Sequence, residues 1–256
     1  MHPLDFLAEL KADEGYRGQI AHVEAIPGCE AAYAEPAAPV AEELRTALRE
    51  AEGVERLYSH QAAALDAVRA GESVCVVSGT ASGKTLCYTL PVAELLAQSP
   101  EACAMLLFPT KALAQDQLRS LRRLAQHFPG LPPCDTYDGD TSRHTRDRIR
   151  KQSRLILTNP DMLHVNILPN HTRWARFLAN LRLVVVDEIH ALRGIFGSHC
   201  AHLFRRLNRL CRHYQDPEGG PEAAREGPRA PTRPRSSGVH HGGCAPPRGR
   251  TPPLRP

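Results

Sequence analysis

Short apolar runs alternate with helical stretches from about residue 54 to residue 215. The last helical stretch, residues 198–212, places apolar residues at i, i+3, i+4 and i+7, which is the spacing of one helix face. Strands that are apolar on both faces and separated by helices form parallel sheets that helices cover on both sides. The pattern therefore predicts an α/β fold built on a parallel sheet.

The same periodicity places the individual elements. The predicted strands are residues 74–77, 104–108, 154–158 and 183–186, with a weaker candidate at 134–137. The predicted helices are residues 84–97, 111–127, 142–151, a stretch after Pro160, and residues 198–212. A short N-terminal helix and an amphipathic helix near residues 41–50 are predicted to precede them.

Composition divides the chain into three parts. Residues 1–53 are less regular, and we predict an N-terminal extension packed on the single α/β domain of residues 54–215. Residues 216–256 contain ten Pro and seven Gly among 41 residues. Such a segment cannot bury enough apolar surface to offset the entropy lost on ordering, so we predict a disordered tail.

The tail also has the composition of a gene read in the wrong frame. The chain contains four Lys beside 28 Arg, which implies GC-rich codons. A GC-rich gene translated out of frame yields mostly Pro, Arg, Gly and Ala, and these residues dominate the tail. Our hypothesis is that the reading frame is lost near Gln215.

Charge and cysteine usage restrict the class of protein. The formal net charge is +4, but seven Arg against four acidic residues in the tail leave only +1 for residues 1–215, which indicates no particular partner. The eight cysteines show no metal-ligand spacing, as is typical of reduced intracellular proteins. The first residues are charged, and no apolar run approaches the roughly 18 residues of a membrane span. We therefore expect a cytoplasmic protein without membrane contact.

A turn of small residues joins the first predicted strand to a helix that begins with Lys84 and Thr85. Backbone N–H groups at such a helix N-terminus form a cradle for an anion. Lys84 would neutralise the β and γ phosphates of a nucleotide, Thr85 would ligate Mg²⁺, and Gly83 would let the backbone approach the phosphates. The strict phosphate-loop pattern has Gly at position 78, where this chain has Ser78. The alternative is a glycine-rich turn with a surface lysine.

Two acidic residues follow the predicted strand 183–186. Ligands of open parallel sheets bind at the carboxyl ends of the strands, so Asp187 and Glu188 would face the same crevice as Lys84. Asp187 would hold Mg²⁺ through its water shell, and Glu188 would orient and deprotonate the attacking water. The alternative is that the two carboxylates only begin a solvated helix.

Four segments, in this order and spacing, resemble motifs I, Ia, Ib and II of the DEAD/DEAH-box helicases of superfamily 2: SGTASGKT, FPTKALAQDQ, LTNPDML and VVVDEIH. The segments HPLDFLAELKADEGYRGQIAHVEAIPG and LYSHQAAALDAV are similar to the subgroup of DNA helicases that carry a C-terminal four-cysteine zinc domain and translocate 3′ to 5′. The resemblance covers about residues 1–215. It implies a RecA-like lobe that binds ATP, Mg²⁺ and single-stranded or partly duplex DNA.

The resemblance implies a role for each matching residue. Gln61 would read the adenine edge, and His190 would couple the nucleotide site to a second lobe. ATP and Mg²⁺ would contact residues of motifs I and II: Gly79, Thr80, Ser82, Gly83, Lys84, Thr85, Asp187, Glu188 and His190. One DNA strand would contact residues of motifs Ia and Ib: Pro109, Thr110, Lys111, Thr158 and Asn159.

Several features have simpler interpretations. Thr and Asn at strand-to-helix junctions also serve as helix caps, which is the alternative for Thr110, Thr158 and Asn159. Trp174 could stack on a base, but packing in a partly buried helix is the simpler interpretation. His240, His241 and Cys244 lie in a glycine-rich setting without a fourth ligand, which argues against a metal site.

The second RecA-like lobe and the zinc domain of this family have no counterpart in the sequence. The Q-x-x-R-x-G-R motif of the second lobe, which carries an arginine finger, does not occur in the sequence. The cysteines of the zinc domain do not occur either. We therefore expect this chain alone to hydrolyse ATP very slowly and not to unwind DNA. The alternative function is a non-catalytic module that binds ATP and nucleic acid. A small-molecule kinase would need a lid and an acceptor pocket, which the sequence does not indicate.

Overall fold

The computed structural model describes residues 3–24, 30–79 and 82–216. Residues 1–31 fall in one compact unit, in which α1 (Pro3–Ala12) is the helix described. Residues 32–216 belong to a second unit that contains the sheet. The unit boundary thus divides the segment 1–53. The predicted tail lies almost wholly outside the described residues, as do His240, His241 and Cys244.

Four parallel strands form the sheet of the second unit. In chain order they are β1 (Cys103–Leu107), β2 (Cys134–Thr136), β3 (Leu155–Thr158) and β4 (Leu181–Val186). Their order across the sheet is β2-β3-β1-β4, and every pairing is parallel. The predicted parallel sheet is confirmed, and the weak strand candidate at 134–137 is one of its edges.

Helices precede and separate the strands. They are α2 (Glu42–Glu52), α3 (Ser59–Arg69), α4 (Lys84–Gln98), α5 (Lys111–His127), α6 (Arg143–Gln152), α7 (Pro160–Met162), α8 (Ala175–Asn180) and α9 (Gly194–Gln215). A π-helical turn, Leu163–Ile167, continues α7, and two 3-10 turns occupy His171–Trp174 and Ile189–Ala191. No helix in the described part of the chain combines the length and apolar character that crossing a bilayer requires.

The two faces of the sheet bury two separate cores. Successive side chains of a strand point to opposite faces, so Ala104 and Leu106 of β1 pack against α2, α3, α4 and α5. Met105 and Leu107 pack on the other face, against α6, α8, α9 and the segment between β3 and β4. All five residues of β1 are buried. Helices therefore cover both faces, as the apolar strands predict.

The predicted strand at 74–77 is wrong. Residues 73–79 form no helix or strand, and Val77 is 90% exposed. Strand preference reflects packing against neighbouring strands and a covering layer more than the backbone itself. In the structure, β4 has one strand neighbour among the described residues, β1, and nothing pairs with residues 74–77. The sheet consequently ends at β4, where Val184 is 37% exposed.

Trp174 is a core residue. Its side chain is 0% exposed and makes edge-to-face contacts with Tyr137 and Phe177, at ring-centroid distances of 4.9 and 5.7 Å. A fully enclosed indole has no free face for a nucleic-acid base. The packing interpretation of Trp174 is confirmed, with burial that is complete rather than partial.

Candidate functional site

The segments with predicted functions follow the carboxyl ends of adjacent parallel strands. β1 leads to Thr110, β3 leads to Asn159, and β4 leads to Asp187. The ladder between β1 and β4 continues one residue beyond β4, because the Asp187 N–H donates to the Leu107 carbonyl at 3.0 Å. The parallel register therefore brings these junctions together at the carboxyl-terminal end of the sheet.

Lys84 points back into the turn that precedes α4. Its Nζ donates to the carbonyl oxygens of Ser78 at 3.0 Å and Gly79 at 3.2 Å. An ammonium group has three donors, so the side chain can serve phosphate oxygens from the same position. Thr80, at the centre of the turn, lies outside the described residues.

Two serine hydroxyls link the two ends of this turn by hydrogen bonds. The Ser82 hydroxyl donates to the Gly79 carbonyl at 2.9 Å, and the Ser78 and Ser82 oxygens are 2.6 Å apart. Since a hydroxyl has one proton, Ser78 donates to Ser82 in this chain of hydrogen bonds. Ser78, which stands where the strict pattern has glycine, thus links the two ends of the turn.

Gln61 fixes the turn from the other side. Its side chain is buried, with the amide oxygen accepting from the Tyr58 N–H at 2.8 Å and the amide nitrogen donating to the Gly83 carbonyl at 3.0 Å. Both ends of the amide are therefore engaged by protein. The position joins α3 to the start of α4, and it places Gln61 directly beside the predicted phosphate cradle.

Gly83 meets two requirements that a larger residue cannot meet. Its φ is +74°, in the left-handed region that favours glycine. A Cβ on Gly83 would also lie 2.5 Å from the Gln61 amide nitrogen. That nitrogen is the end of a buried and doubly hydrogen-bonded side chain, so moving it would break its contacts.

We expect Gly83→Ala to destabilise the fold more than Gly71→Ala does. Both residues have left-handed backbones, so both substitutions incur about 1–2 kcal/mol of backbone strain. A Cβ on Gly71 meets no atom within 4 Å, whereas a Cβ on Gly83 displaces the Gln61 amide, which adds about 1 kcal/mol or more. Urea unfolding of both variants measures the difference, and equal losses would contradict the contact with Gln61.

The two acidic residues after β4 are held in a specific geometry. One Asp187 carboxylate oxygen, Oδ1, accepts from the Glu188 N–H at 2.9 Å. Glu188 has a φ of +52° and is the one non-glycine residue with positive φ in the described part of the chain. Such a conformation costs on the order of 1–2 kcal/mol and is held by its surroundings. The turn aims the Glu188 carboxylate toward His190, whose Nδ1 lies 3.1 Å from Glu188 Oε2.

Tyr88 is a site residue that the sequence analysis did not predict. Its hydroxyl donates to the second Asp187 oxygen, Oδ2, at 3.4 Å. Burial first, and the Asp187 charge second, raise the pKa of Tyr88 above its usual range, while hydrogen bonding with Thr85 acts in the opposite direction. The signal in the sequence is the spacing, since Tyr88 lies three residues after Thr85 and shares its helix face.

The oxygen atoms of Thr85 and Asp187 fit a magnesium site. The Tyr88 hydroxyl donates to Asp187, and Thr85 lies one turn before Tyr88 on the same face of α4, so this contact brings the start of α4 toward Asp187. The described residues contain no group of three or more His, Cys, Asp or Glu that could hold a metal. Mg²⁺ binds few protein ligands when phosphates and waters complete its coordination shell.

The residues predicted to contact DNA differ in accessibility. Thr110 and Asn159 act as helix caps, accepting from the N–H groups of Leu113 at 3.3 Å and Met162 at 2.8 Å. Lys111 is half exposed and pairs with Asp140 at 2.7 Å, a hydrogen bond that raises the pKa of Lys111. Pro109 is partly buried beside them.

Thr158 lies beneath this surface. Its side chain is 3% exposed, and its hydroxyl donates to the Tyr137 carbonyl at 2.7 Å. That hydrogen bond holds the end of β3 to the segment that follows β2. The structure therefore places Pro109, Thr110, Lys111 and Asn159 nearer to solvent than the Thr158 hydroxyl.

Comparison with known proteins gives a consistent set of relatives. Residues 58–218 match the sequence profile of the DEAD/DEAH box helicase family. The ATP-dependent helicase HRQ1 of Saccharomyces cerevisiae is 45% identical over 215 residues, which are 83% of this chain and 20% of HRQ1. The ATP-dependent helicase YprA of Bacillus subtilis is 50% identical over 162 residues, which are 63% of this chain and 22% of YprA.

A solved structure shows the same architecture. The crystal structure of the helicase MrfA bound to DNA and AMPPNP aligns with a TM-score of 0.75 and 42% sequence identity, over 84% of this chain and 29% of MrfA. The chain thus spans about a fifth of the length of the curated relatives and under a third of MrfA.

Proposed function

This chain belongs to the DEAD/DEAH box helicase family, and we propose that it is the N-terminal, ATP-binding lobe of an ATP-dependent DNA helicase. The observation that supports the proposal is the hydrogen bond from Tyr88 of α4 to Asp187, which brings the helix that begins with Lys84 and Thr85 to the carboxyl end of β4. The 3′-to-5′ polarity and the zinc domain of the resembling subgroup belong to the whole protein and are part of the same proposal.

The site residues divide the work of nucleotide binding. The N–H groups at the start of α4 and the Lys84 ammonium hold the phosphates, with Gly79 and Ser82 shaping the turn. Thr85 and Asp187 would hold Mg²⁺, which when bound neutralises charge on the β and γ phosphates. Glu188 orients and deprotonates the attacking water, and His190 beside it links the site to a second lobe. Gln61 positions the phosphate-binding turn, and its second amide proton and second oxygen lone pair are left to contact the adenine edge.

We propose that one DNA strand runs along the ends of β1 and β3. Thr110 and Lys111 lie at the N-terminus of α5, and Asn159 lies at the start of α7, so backbone N–H groups and side chains there can contact phosphates without reading bases. Pro109 shapes this junction, and Thr158 contributes through the backbone that its buried hydroxyl fixes. The MrfA structure, which contains DNA, supports this choice of partner.

The 256-residue chain by itself is proposed to bind ATP without unwinding DNA. An arginine finger from a second lobe contributes roughly 10³ to 10⁵ to the rate of phosphoryl transfer, and the sequence contains no Q-x-x-R-x-G-R motif. A single lobe by itself also has no second lobe with which to enclose the nucleotide. The non-catalytic binding module is therefore the description that fits this chain in isolation, and helicase activity is proposed for the whole protein.

Nucleotide binding and phosphate release test this function directly. We expect the chain to bind a fluorescent ATP analogue in Mg²⁺ and to release phosphate near the background rate, with or without single-stranded DNA. Glu188→Gln should bind the analogue as well as the unmodified chain does. Failure to bind nucleotide would contradict the proposal. DNA-stimulated turnover that Glu188→Gln abolishes would show instead that one lobe is catalytically sufficient.

The cysteines support a cytoplasmic location as part of the proposal. All six cysteines in the described part of the chain are free thiols. Burial raises the pKa of Cys87 and Cys134 to about 11, so these thiols stay protonated and unreactive. Reduced, buried thiols of this kind are typical of intracellular proteins.

A further inference from the structure

Tyr88 occupies the space between the phosphate-binding helix and the end of β4. It lies on α4, one turn after Thr85, and its ring packs against the core beneath the sheet edge. The hydroxyl emerges from that packing toward Asp187. A tyrosine placed in this way has its ring fixed by apolar contacts and its polar end directed at one carboxylate.

The Asp187 carboxylate is held by two donors at once. The Glu188 N–H donates to Oδ1 at 2.9 Å, and the Tyr88 hydroxyl donates to Oδ2 at 3.4 Å. A carboxylate with one donor can rotate about its Cβ–Cγ bond, whereas a donor on each oxygen defines the plane of the group. The backbone contact positions one oxygen, and Tyr88 positions the other.

The same contact involves the helix that carries the second oxygen donor of the site. Thr85 lies one turn before Tyr88 on the same face of α4, so the bond from Tyr88 to Asp187 joins that helix face to the end of β4. Groups that orient metal ligands in this way commonly change metal affinity by 10- to 100-fold when removed.

We propose that Tyr88 is a positioning residue whose hydroxyl orients Asp187 for Mg²⁺, so that the magnesium dependence of nucleotide affinity is set in part by Tyr88. This inference rests on the proposed nucleotide site. Tyr88 acts through Asp187, and it has no assigned contact with nucleotide.

Tyr88→Phe tests the role because it removes the hydroxyl and keeps the ring. We expect affinity for a fluorescent ATP analogue in saturating Mg²⁺ to fall about 10-fold, and affinity in excess EDTA to remain unchanged. When Mg²⁺ is added stepwise, the Mg²⁺ concentration that gives half of the increase in nucleotide affinity should rise by a similar factor in Tyr88→Phe. Tyr214→Phe is the matched control, since it removes a hydroxyl bonded to His171 at 2.6 Å, away from the site.

A double-mutant cycle separates positioning from a structural effect. If Tyr88 acts through Asp187, adding Tyr88→Phe to Asp187→Asn should change the magnesium dependence no further. An additive effect in that background would overturn the inference, as would equal weakening in Mg²⁺ and EDTA, or no change in either. If the unmodified chain binds no nucleotide under either condition, the proposed function fails together with the inference. Normal magnesium dependence in Tyr88→Phe overturns the inference alone.

Discussion

Replacing Lys84 with alanine will weaken binding of MgATP on the order of 100-fold. In the structure, the Lys84 ammonium lies within the turn and donates to the Ser78 and Gly79 carbonyls. Charge-assisted hydrogen bonds to phosphate contribute about 1.5–3 kcal/mol each, and a loss of about 3 kcal/mol corresponds to roughly 100-fold in Kd. Titration of a fluorescent ATP analogue measures the change.

The chain offers a matched control, because Lys151 is an exposed lysine on α6 far along the sequence from the turn. Lys151→Ala removes the same charge and should leave the Kd within twofold of the unmodified value. Urea unfolding should show that Lys84→Ala remains folded, since its contacts lie on a surface turn. Unchanged affinity in Lys84→Ala would exclude the turn as the phosphate site.

Replacing Trp174 with alanine will reduce the free energy of unfolding by about 3–5 kcal/mol, because a fully buried indole leaves a large cavity. That loss is a large fraction of the roughly 5–15 kcal/mol that stabilises a typical domain. Urea unfolding followed by circular dichroism measures it. Trp174→Phe should reduce the free energy of unfolding much less, because an aromatic ring still fills most of the space. The indole Nε1 has no hydrogen-bond partner in the described structure, so no hydrogen bond is lost.

The control for this substitution is Val165→Ala. Val165 lies in the π-helical turn of the same segment and is 62% exposed, so its truncation should change stability by less than about 0.5 kcal/mol. A small loss in Trp174→Ala would contradict the burial described above. It would also reopen the alternative that the indole is available to a nucleic-acid base.

Periodicity predicted most of the fold because local pattern and tertiary packing agree there. The helix predicted at residues 111–127 has the bounds of α5, where Thr110 caps the first turn. The weak run at 134–137 becomes an edge strand because β3 pairs with it. Residues 74–77 contain more β-branched residues than that run but have no pairing partner among the described residues, so propensity alone gave the wrong answer.

The motifs predicted which residues form the candidate site: Lys84, Thr85, Asp187 and Glu188. In the structure, the Tyr88 hydroxyl joins Asp187 to α4, the helix that begins with Lys84 and Thr85. The sequence could not show that both ends of the Gln61 amide form hydrogen bonds within the protein, or that the Thr158 hydroxyl is buried. Those facts depend on contacts between residues that are distant in sequence. Assignment of the individual site roles stays a prediction until binding is measured.

The exposed side of β4 bears on how this protein behaves at high concentration. Among the described residues β4 has one neighbour, and such a strand presents a row of unpaired N–H and C=O groups; beyond Arg182, the C-terminal half of β4 carries three valines in place of the lysines or prolines that discourage pairing. Two molecules can join their sheets along such a row. Self-association during purification is therefore the expected behaviour of the isolated lobe, and a charged substitution at the 37% exposed Val184 is the direct route to a monodisperse sample.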